Sequence, residues 1–177
     1  MQLVPFGAHL YPAYVYIKAN LRDADRDECS YHGMTAGEIP DDVLWNSTPW
    51  CYLVYADDEP VFIFGAMSVI PGVYQFWGFG TDKTPRVLPA LTKFCKEEFG
   101  PYLYLFGARR VQVHVPLKSQ QSFHWLTDHI GMRVEMIMSD YCADGSPMAQ
   151  LVFTRQDYQA YVFPKRPETP EGNAARD

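Results

Sequence analysis

Apolar and aromatic runs predict three consecutive β-strands in the middle of the chain. They cover residues 50–55 (WCYLVY), 61–69 (VFIFGAMSV) and 73–79 (VYQFWGF). Each run is rich in β-branched and aromatic residues, and turn residues separate them, ADDEP before the second and PG before the third. This arrangement is typical of hairpins. The central block therefore predicts antiparallel strands.

A helix is predicted directly after the third strand. A polar break over residues 81–85 is followed by helical periodicity over residues 86–99. Thr84 fits an N-cap position, and Pro85 fits the first helical position, where its missing N–H costs nothing. A strand that leads into a helix N-terminus forms a potential anion site, because free amides and the helix dipole converge there.

The remaining pattern predicts helices before the three central strands. After the helix of residues 86–99, it predicts a strand, a helix and a final hairpin. The segment 9–21 fits one helical face, although its alternation is also compatible with a strand. Gly100 and Pro101 are expected to end the helix of residues 86–99, and the apolar segment 102–106 is expected to pack under the sheet. Before the central strands, the sequence also predicts an edge strand at 1–6, a helix at 23–31 capped by Asp23 or Asp25, and a helix at 40–45. After them, it predicts a strand at 110–115 and a helix at 120–130 that is capped by Ser119 and ended by Gly131. The last predicted elements are strands at 132–139 and 148–154.

This order of elements predicts one α+β domain over residues 1–156, with a mixed, mostly antiparallel sheet flanked by helices. Residues 157–177 are expected to form a flexible or partner-ordered extension, because the stretch from Phe163 onward is rich in Pro, Glu, Asn and Arg.

Composition supports a globular protein and narrows its partners. The chain has 177 residues, of which 47% are hydrophobic and 20% charged, which is enough to bury a core. A net charge of −6 argues against a nucleic-acid backbone as the main partner. No apolar run is long enough to span a membrane, and the N-terminus lacks a signal-peptide pattern. Four widely spaced cysteines without a CxxC pair predict reduced, mostly buried thiols, and no metal site is expected.

Two stretches add a family resemblance to this order. Leu88-x-x-Leu91 follows the loop after the third central strand, and residues 113–132 (VHVPLKSQQSFHWLTDHIGM) combine a strand, a helix and a Gly-hydrophobic ending before the last hairpin. Over residues 1–156 the chain resembles the GNAT superfamily of N-acetyltransferases. The short motifs NLRDAD (20–25) with Glu28, and EPV (59–61) leading to Phe64 and Gly65, are similar to small GNAT-like proteins of short-tailed lytic phages, which are described as phage acetyltransferases or internal virion proteins.

The resemblance implies acetyl-CoA as a cofactor, but the expected loop is substituted. Active family members carry Arg/Gln-x-x-Gly-x-Gly/Ala there, and the glycines let backbone amides approach the pyrophosphate. Here Asp82 and Thr84 occupy glycine positions. A carboxylate at 4 Å would repel a pyrophosphate by about 1 kcal/mol in water, which Lys83 and Arg86 could offset. The implied cofactor-binding candidates are Phe79, Thr81, Asp82, Lys83, Thr84, Arg86 and Ser119.

The resemblance also implies a proton donor and a general base. The family often places a Tyr on the helix after the fifth strand, where the matching residues here are Trp125 and Leu126. The adjacent His124 is either a substitute acid or an exposed helix residue. Glu28 and His114 are candidate bases, but they could equally be a solvated helix carboxylate and a hydrogen-bonded sheet histidine.

Two main functional interpretations follow, and a small-ligand sensor that uses the same cleft is a third. In the first, the chain is a virion-associated structural or interaction component with a degenerate acyl-CoA site. It would contact other virion or phage proteins, form oligomers, and lie in the virion or the host cytoplasm. The substituted loop, the absent Tyr and the aromatic surplus favour this interpretation. The alternative is an active acetyl-CoA-dependent N-acetyltransferase acting on a protein or small-molecule amine. Strands that splay around Trp77 and Val113, with the amides of residues 82–86 facing an open cleft, would favour the enzyme, whereas a cleft filled by aromatic side chains would favour the structural component.

Overall fold

The central strands form as the sequence predicts. In the computed structural model, which describes residues 1–162, Cys51–Ala56 (β2), Glu59–Ile70 (β3) and Val73–Gly80 (β4) pair antiparallel in chain order. Gln2–Pro5 (β1) pairs with β2 at one edge of the sheet, which confirms the predicted edge strand.

The later strands complete a sheet of seven. They are Arg110–Pro116 (β5), Arg133–Met138 (β6) and Met148–Thr154 (β7), and the spatial order is β1-β2-β3-β4-β5-β7-β6. The β4 and β5 strands are parallel, whereas the other neighbouring strands are antiparallel. The predicted α+β class, with a mixed and mostly antiparallel sheet, is therefore confirmed.

The β4 and β5 strands pair over only a short distance. Their register joins Val73 to Arg110, Tyr74 to Val111 and Gln75 to Gln112, and it stops there. Both strands continue for several residues past the last pair. The strands therefore diverge toward their C-terminal ends and leave an opening in the sheet.

Helices lie on both faces of this sheet. The segment expected at 9–21 is helical, with Pro12 in its first turn. Ser119 occupies the predicted N-cap position of the helix after the fifth strand, although its side chain makes no cap bond. For the helix predicted at 23–31, Arg22 occupies the N-cap position and Asp23 and Asp25 lie in the first turn, so the predicted cap there is wrong. The helices are Tyr11–Ala19 (α1), Asp23–Tyr31 (α2), Asp42–Asn46 (α3), Leu88–Phe94 (α4), Gly100–Leu105 (α5), Gln120–His124 (α6) and Arg155–Val162 (α7). Shorter 3₁₀ turns cover Ala8–Leu10, Ala36–Glu38 and Thr84–Arg86.

The predicted helix break at Gly100 and Pro101 is wrong. A π-helical turn, Cys95–Phe99, joins α4 directly to α5, and the Gly100 N–H bonds to the Cys95 carbonyl five residues earlier. Such a wide turn accommodates Pro101, which cannot supply the N–H of an ordinary helical bond. The following apolar segment is only partly covered, since Leu103 and Tyr104 are buried whereas Tyr102, Leu105 and Phe106 are exposed.

A second π-helical turn extends α6. It covers Trp125–Ile130 and ends at Gly131, whose φ of 89° is the left-handed conformation that glycine adopts readily. This confirms the predicted end of the helix at Gly131.

The start of α4 differs from the prediction. Thr84 was expected to cap this helix, but it lies inside a 3₁₀ turn.

The core has one layer on each face of the sheet. Phe64 and Val113 face α4, α5 and α6, whereas Ile63 and Leu53 face α1 and α3. Neighbouring strand residues take opposite faces because side chains alternate along a strand. All four cysteines are buried with free thiols, as expected, and burial raises the pKa of Cys51 and of Cys95 to about 12.

The last described helix crosses the domain boundary expected at residue 156. Asp157 accepts a hydrogen bond from the Thr154 N–H at 2.7 Å, and the Tyr158 ring stacks on Tyr104 with centroids 4.7 Å apart. The stretch expected to be mobile from Phe163 onward lies outside the described residues. Across residues 1–162 the helices are too short or too polar to cross a membrane.

Candidate functional site

The divergence of β4 and β5 opens a cleft of ≈ 1070 Å³. Its walls combine strand residues with residues from the helices on both faces of the sheet. They include Phe76, Trp77, Gly78, Val113, His114 and Val115 from the strands, Leu88 and Thr92 from α4, Ser122 and Trp125 from the α6 segment, and Arg22, Asp25 and Glu28 from the α2 segment. The splaying around Trp77 and Val113 that would favour the enzyme is therefore present, and the cleft is open.

The backbone of β4 directs an amide into this cleft. The Thr81 N–H bonds to the Val61 carbonyl on β3, whereas the neighbouring Gly80 N–H points the other way, to Asp25 Oδ2 at 2.7 Å. Because alternate residues of a strand direct their N–H groups to the same edge, the Gly78 N–H also faces the β5 side. A Cβ at Gly78 would lie 3.0 Å from Phe62 and Phe64. Gly78 thus places no side chain at this wall of the cleft, next to a backbone N–H that can stabilise an oxyanion.

A buried carboxylate ties α2 to the end of β4. Asp25 is only 3% exposed, and its Oδ1 lies 2.8 Å from the guanidinium of Arg22. Burial raises the pKa of Asp25 even though Arg22 and the Gly80 N–H favour its charged form. Asp25 was expected only as a helix cap, so its part in the site was missed. The spacing of three residues between Arg22 and Asp25 is the signal that could have suggested the ion pair.

Glu28 lies one helical turn beyond Asp25 and lines the same cleft. Its Oε1 is buried and has no hydrogen-bond partner within residues 1–162. Burial raises the pKa of Glu28, the charge of Asp25 adds to the rise, and the hydroxyls of Ser122 and Ser119 oppose it. A carboxylate with a raised pKa in a cleft suits a general base. The structure places Ser119, expected at a cofactor, beside this carboxylate.

His114 projects from β5 on the face opposite Val113, as the alternation predicts. Its Nε2 lies 3.2 Å from Gln150 Oε1, and the Gln150 amide donates to Glu135 Oε2 at 2.8 Å. Arg110 pairs with the same carboxylate. His114 therefore lines the cleft while it belongs to a polar chain across three strands.

This polar chain makes a prediction about acid stability. Hydrogen bonding from Arg110 lowers the pKa of Glu135 from 4.5 to about 2. A lowered carboxyl pKa stabilises the fold above pH 4.5, and the stabilisation is lost as the pH falls toward 2. Glu135→Gln should therefore be less stable than the wild type near neutral pH, with a difference that shrinks in acid. Urea unfolding at several pH values measures this difference.

The matched control for Glu135 is Glu98→Gln, the same chemical change at an exposed position. It should stay within about 0.5 kcal/mol of the wild type at every pH. A Glu135→Gln deficit that is constant with pH would contradict the assigned ion pair.

The candidate acid His124, on the helix after β5, lines the cleft and is also largely exposed to solvent. The His124 side chain is 60% exposed, and its Nδ1 lies 3.1 Å from Asp128 Oδ2 one turn further on. The adjacent Trp125 instead points toward α4, where its indole N–H donates to Thr92 Oγ1 at 2.8 Å. The Trp125 ring also lies 6.4 Å from Phe76, so aromatic side chains narrow the cleft at this level without filling it.

The loop between β4 and α4 is closed on itself. Thr84 donates its N–H to the Thr81 carbonyl at 2.9 Å, and Arg86 donates its N–H to the Lys83 carbonyl at 3.0 Å. The Lys83 N–H bonds to Thr81 Oγ1, and the Val87 N–H bonds to the Thr84 carbonyl. The amides of residues 83, 84 and 86 therefore do not face an open cleft, which corrects the expectation from the family's loop.

The side chains of this loop are mostly engaged as well. Lys83 pairs with Glu59, which also accepts a hydrogen bond from the Tyr16 hydroxyl at 2.7 Å. Phe79 packs against Tyr14 in the core layer of α1, with ring centroids 6.1 Å apart. Thr81 and Thr84 are buried, whereas Asp82 and Arg86 are exposed.

Gly80 allows the loop to fold onto β4. A Cβ at Gly80 would collide with Thr84 Oγ1 and would lie 2.5 Å from both Phe62 Cδ2 and the Val61 carbonyl oxygen. Overpacking of this kind typically costs about 1–3 kcal/mol. Gly80→Ala should lower the free energy of unfolding by that amount, as measured by urea denaturation. Gly37→Ala, where the nearest atom lies 4.0 Å away, should change it by less than about 0.5 kcal/mol. Equal stabilities of the two variants would contradict the closed loop.

The residues present fit the thioester arm of acetyl-CoA better than its pyrophosphate. The cleft, the Gly78 amide and the orphaned Glu28 oxygen suit a thioester arm and an amine. The closed loop does not suit the pyrophosphate. Among residues 1–162, His, Cys, Asp and Glu side chains form no group of three or more that could hold a metal ion.

The fold is shared with solved acetyltransferases. No protein-family model matches the chain, and no curated protein matches it. Ard1 from Thermoplasma volcanium superposes with a TM-score of 0.67 at 11% identity, covering 86% of this chain and 96% of that one. The aminoglycoside acetyltransferase AAC(6')-Ib, in complex with coenzyme A, gives 0.63 at 14% identity, covering 91% and 98%. The GNAT domain of PAT from S. lividans gives 0.66 at 11% identity, covering 86% and 89%. The chain therefore has the GNAT fold.

Proposed function

We propose that the chain is an N-acetyltransferase that takes its acetyl group from a pantetheine thioester such as acetyl-CoA. The observation that carries this proposal is the cleft between the diverging ends of β4 and β5, with the Gly78 amide on one wall and Glu28 on another. The same fold holds coenzyme A in AAC(6')-Ib, which supports the donor. These observations favour the transferase over the virion component.

The chain's own groups supply the parts that such a transfer needs. Acetyl-CoA, when bound, would supply an acetyl group whose C–S bond breaks as a C–N bond to the amine forms, and coenzyme A would leave as a thiolate that takes up a proton from solvent. The Gly78 N–H stabilises negative charge on the carbonyl oxygen, as preorganised backbone donors do. Glu28 takes the proton that the amine loses. The walls of the cleft hold the donor and the amine next to each other, so the two reactants do not have to meet by diffusion in solution.

His114 is the second candidate base. It lines the cleft with Glu28, but its Nε2 already lies within hydrogen-bond distance of Gln150. Glu28 Oε1 has no such partner. The orphaned atom is the better proton acceptor, because no existing hydrogen bond has to break before it acts.

Calorimetric titration with acetyl-CoA tests the proposed donor. We expect micromolar binding to the wild-type chain. Gly78→Ala should weaken it, since its methyl group would lie 3.0 Å from Phe62 and from the core residue Phe64 and would shift the strand that carries the Gly78 N–H. Gly37→Ala is the matched control and should bind like the wild type, because its surroundings are open. Absence of heat and of a thermal shift at millimolar acetyl-CoA would contradict the proposal.

The expected partners and location stay predictions. Association with virion or phage proteins, oligomer formation, and a place in the virion or the host cytoplasm derive from the sequence resemblance alone. A transferase that modifies a host or phage protein would be compatible with either location. Its acceptor would then be an amine on that protein.

A further inference from the structure

The closed loop removes most of the backbone donors that could hold a pyrophosphate. Among the seven residues 83–89, the amides of 83, 84, 86 and 87 are hydrogen-bonded within the loop. Pro85 and Pro89 have no N–H. Leu88 is then the one residue of this stretch whose amide the turn does not use. A pyrophosphate cradle needs several neighbouring amides that converge on one anion, and the turn leaves none of the amides of residues 83–87 available for it.

The loop is also anchored in its closed form. Thr84 is fully buried, and its Oγ1 donates to the Val61 carbonyl at 3.2 Å. Thr81 Oγ1 reaches the same carbonyl at 3.4 Å. Opening the loop would expose Thr84 and break these bonds together with the turn bonds. A bound phosphate would therefore have to compensate for several hydrogen bonds before it gained any.

The charges around the loop do not favour a phosphate either. Lys83 is already paired with Glu59, and Asp82 places an exposed carboxylate beside it. Arg86 is exposed, and its positive charge offsets the negative charge of Asp82. Two acidic and two basic side chains leave this surface neutral overall. An anionic ligand thus gains little net attraction here.

The part of the cleft that would hold a pantetheine arm has none of these obstacles. Phe76, Val113 and Val115 supply an apolar wall between the strands. We propose that the chain recognises its donor through the pantetheine thioester, and that the nucleotide and its phosphates contribute little. This inference rests on the proposed transferase function. The donor class is then S-acyl pantetheine in general, of which acetyl-CoA is one member.

Comparison of two donors tests this inference. Calorimetry measures the affinity of the full chain for acetyl-CoA and for S-acetyl-pantetheine, which lacks the phosphates and the nucleotide. We expect the two dissociation constants to agree within about tenfold. We also expect acetyl-CoA binding to change little between about 50 mM and about 500 mM NaCl, because screening matters only where charges attract. Acetyl-CoA binding about a hundredfold tighter, with a steep salt dependence, would overturn the inference and leave the proposed function standing.

A variant that changes the charge beside the loop provides a second test of the inference. Glu59→Gln should release Lys83 and raise the affinity for acetyl-CoA without changing that for S-acetyl-pantetheine. The matched control is Glu97→Gln, which removes the carboxylate partner of Lys93 on α4, and it should leave both affinities unchanged. An unchanged ratio of the two affinities in Glu59→Gln would contradict the Lys83–Glu59 pair as one reason why the phosphates contribute little. Failure of both donors to bind the wild type would overturn both the inference and the proposed function, whereas binding of acetyl-CoA alone would overturn only the inference.

Discussion

Replacing Glu28 by Gln is expected to lower kcat for acetyl transfer by about 10²–10⁴-fold, the range that a positioned general base contributes. Gln keeps the size of the side chain but cannot accept the amine's proton. Because burial raises the pKa of Glu28, the wild-type rate should rise with pH through that raised value as the carboxylate loses its proton. A pH profile of kcat in the presence of acetyl-CoA and an accepted amine measures both effects.

The matched control for Glu28 is Asp23→Asn on the same helix. The Asp23 side chain is 94% exposed and pairs only with Arg26 among the described ion pairs, so this variant should retain the wild-type rate and pH profile. His114→Gln separates the two candidate bases, and we expect it to keep the rise with pH. A Glu28→Gln enzyme with an unaltered rate would contradict the assignment of Glu28 as the base.

Asp25→Ala is expected to lower the free energy of unfolding by about 3–5 kcal/mol, the usual cost of leaving one member of a buried ion pair alone. The change would remove the partner of Arg22 and leave the Gly80 N–H without its acceptor. Arg22 and Asp25 both line the cleft, so the variant should also lose donor binding. Urea denaturation and calorimetry measure the two losses.

Asp25→Asn is the conservative comparison. The Asn side-chain oxygen can still accept from the Gly80 N–H, so this variant should lose less stability than Asp25→Ala. Asp23→Asn, at an exposed position, should change stability by less than about 0.5 kcal/mol. If Asp25→Ala proved as stable as Asp23→Asn, the proposed link between α2 and β4 would be wrong.

Local patterns were sufficient to predict most of the sheet. The strands β2, β3 and β4 follow one another as hairpins, so their pairing depends on nearby turns and on side-chain alternation. The helix through Gly100 and Pro101 could not be predicted in the same way. Those residues normally end a helix, and only the π-helical turn before them, with its bond from Gly100 to Cys95, allows the chain to continue.

The candidate site depends on contacts between distant parts of the chain. The opening of the cleft follows from the point where β4 and β5 stop pairing, after Gln75 and Gln112, and residue patterns do not fix such a register. The function of Asp25 depends on a bond to Gly80, 55 residues away in sequence. The sequence named Glu28 and His114 as candidate bases, because a carboxylate and an imidazole can accept a proton, and both residues line the cleft.

The loop shows the limit of reasoning from a family resemblance. The substituted glycine positions at Asp82 and Thr84 predicted a weakened phosphate site, and the structure accounts for this in physical terms. Thr84 turns inward to bond the Val61 carbonyl, so the loop folds against Gly80. The sequence could identify the substitution but not the closed conformation that results.

The most direct test of the central claim is transfer itself. The full chain would be incubated with acetyl-CoA and, separately, a peptide with a free α-amine, an N-terminally blocked lysine peptide, spermidine and kanamycin, with thiol release and amide formation measured together. We predict that at least one amine accelerates thiol release, with one amide formed per thiol, and that Glu28→Gln abolishes the acceleration. Thiol release that no amine raises above the protein-free rate would contradict the account.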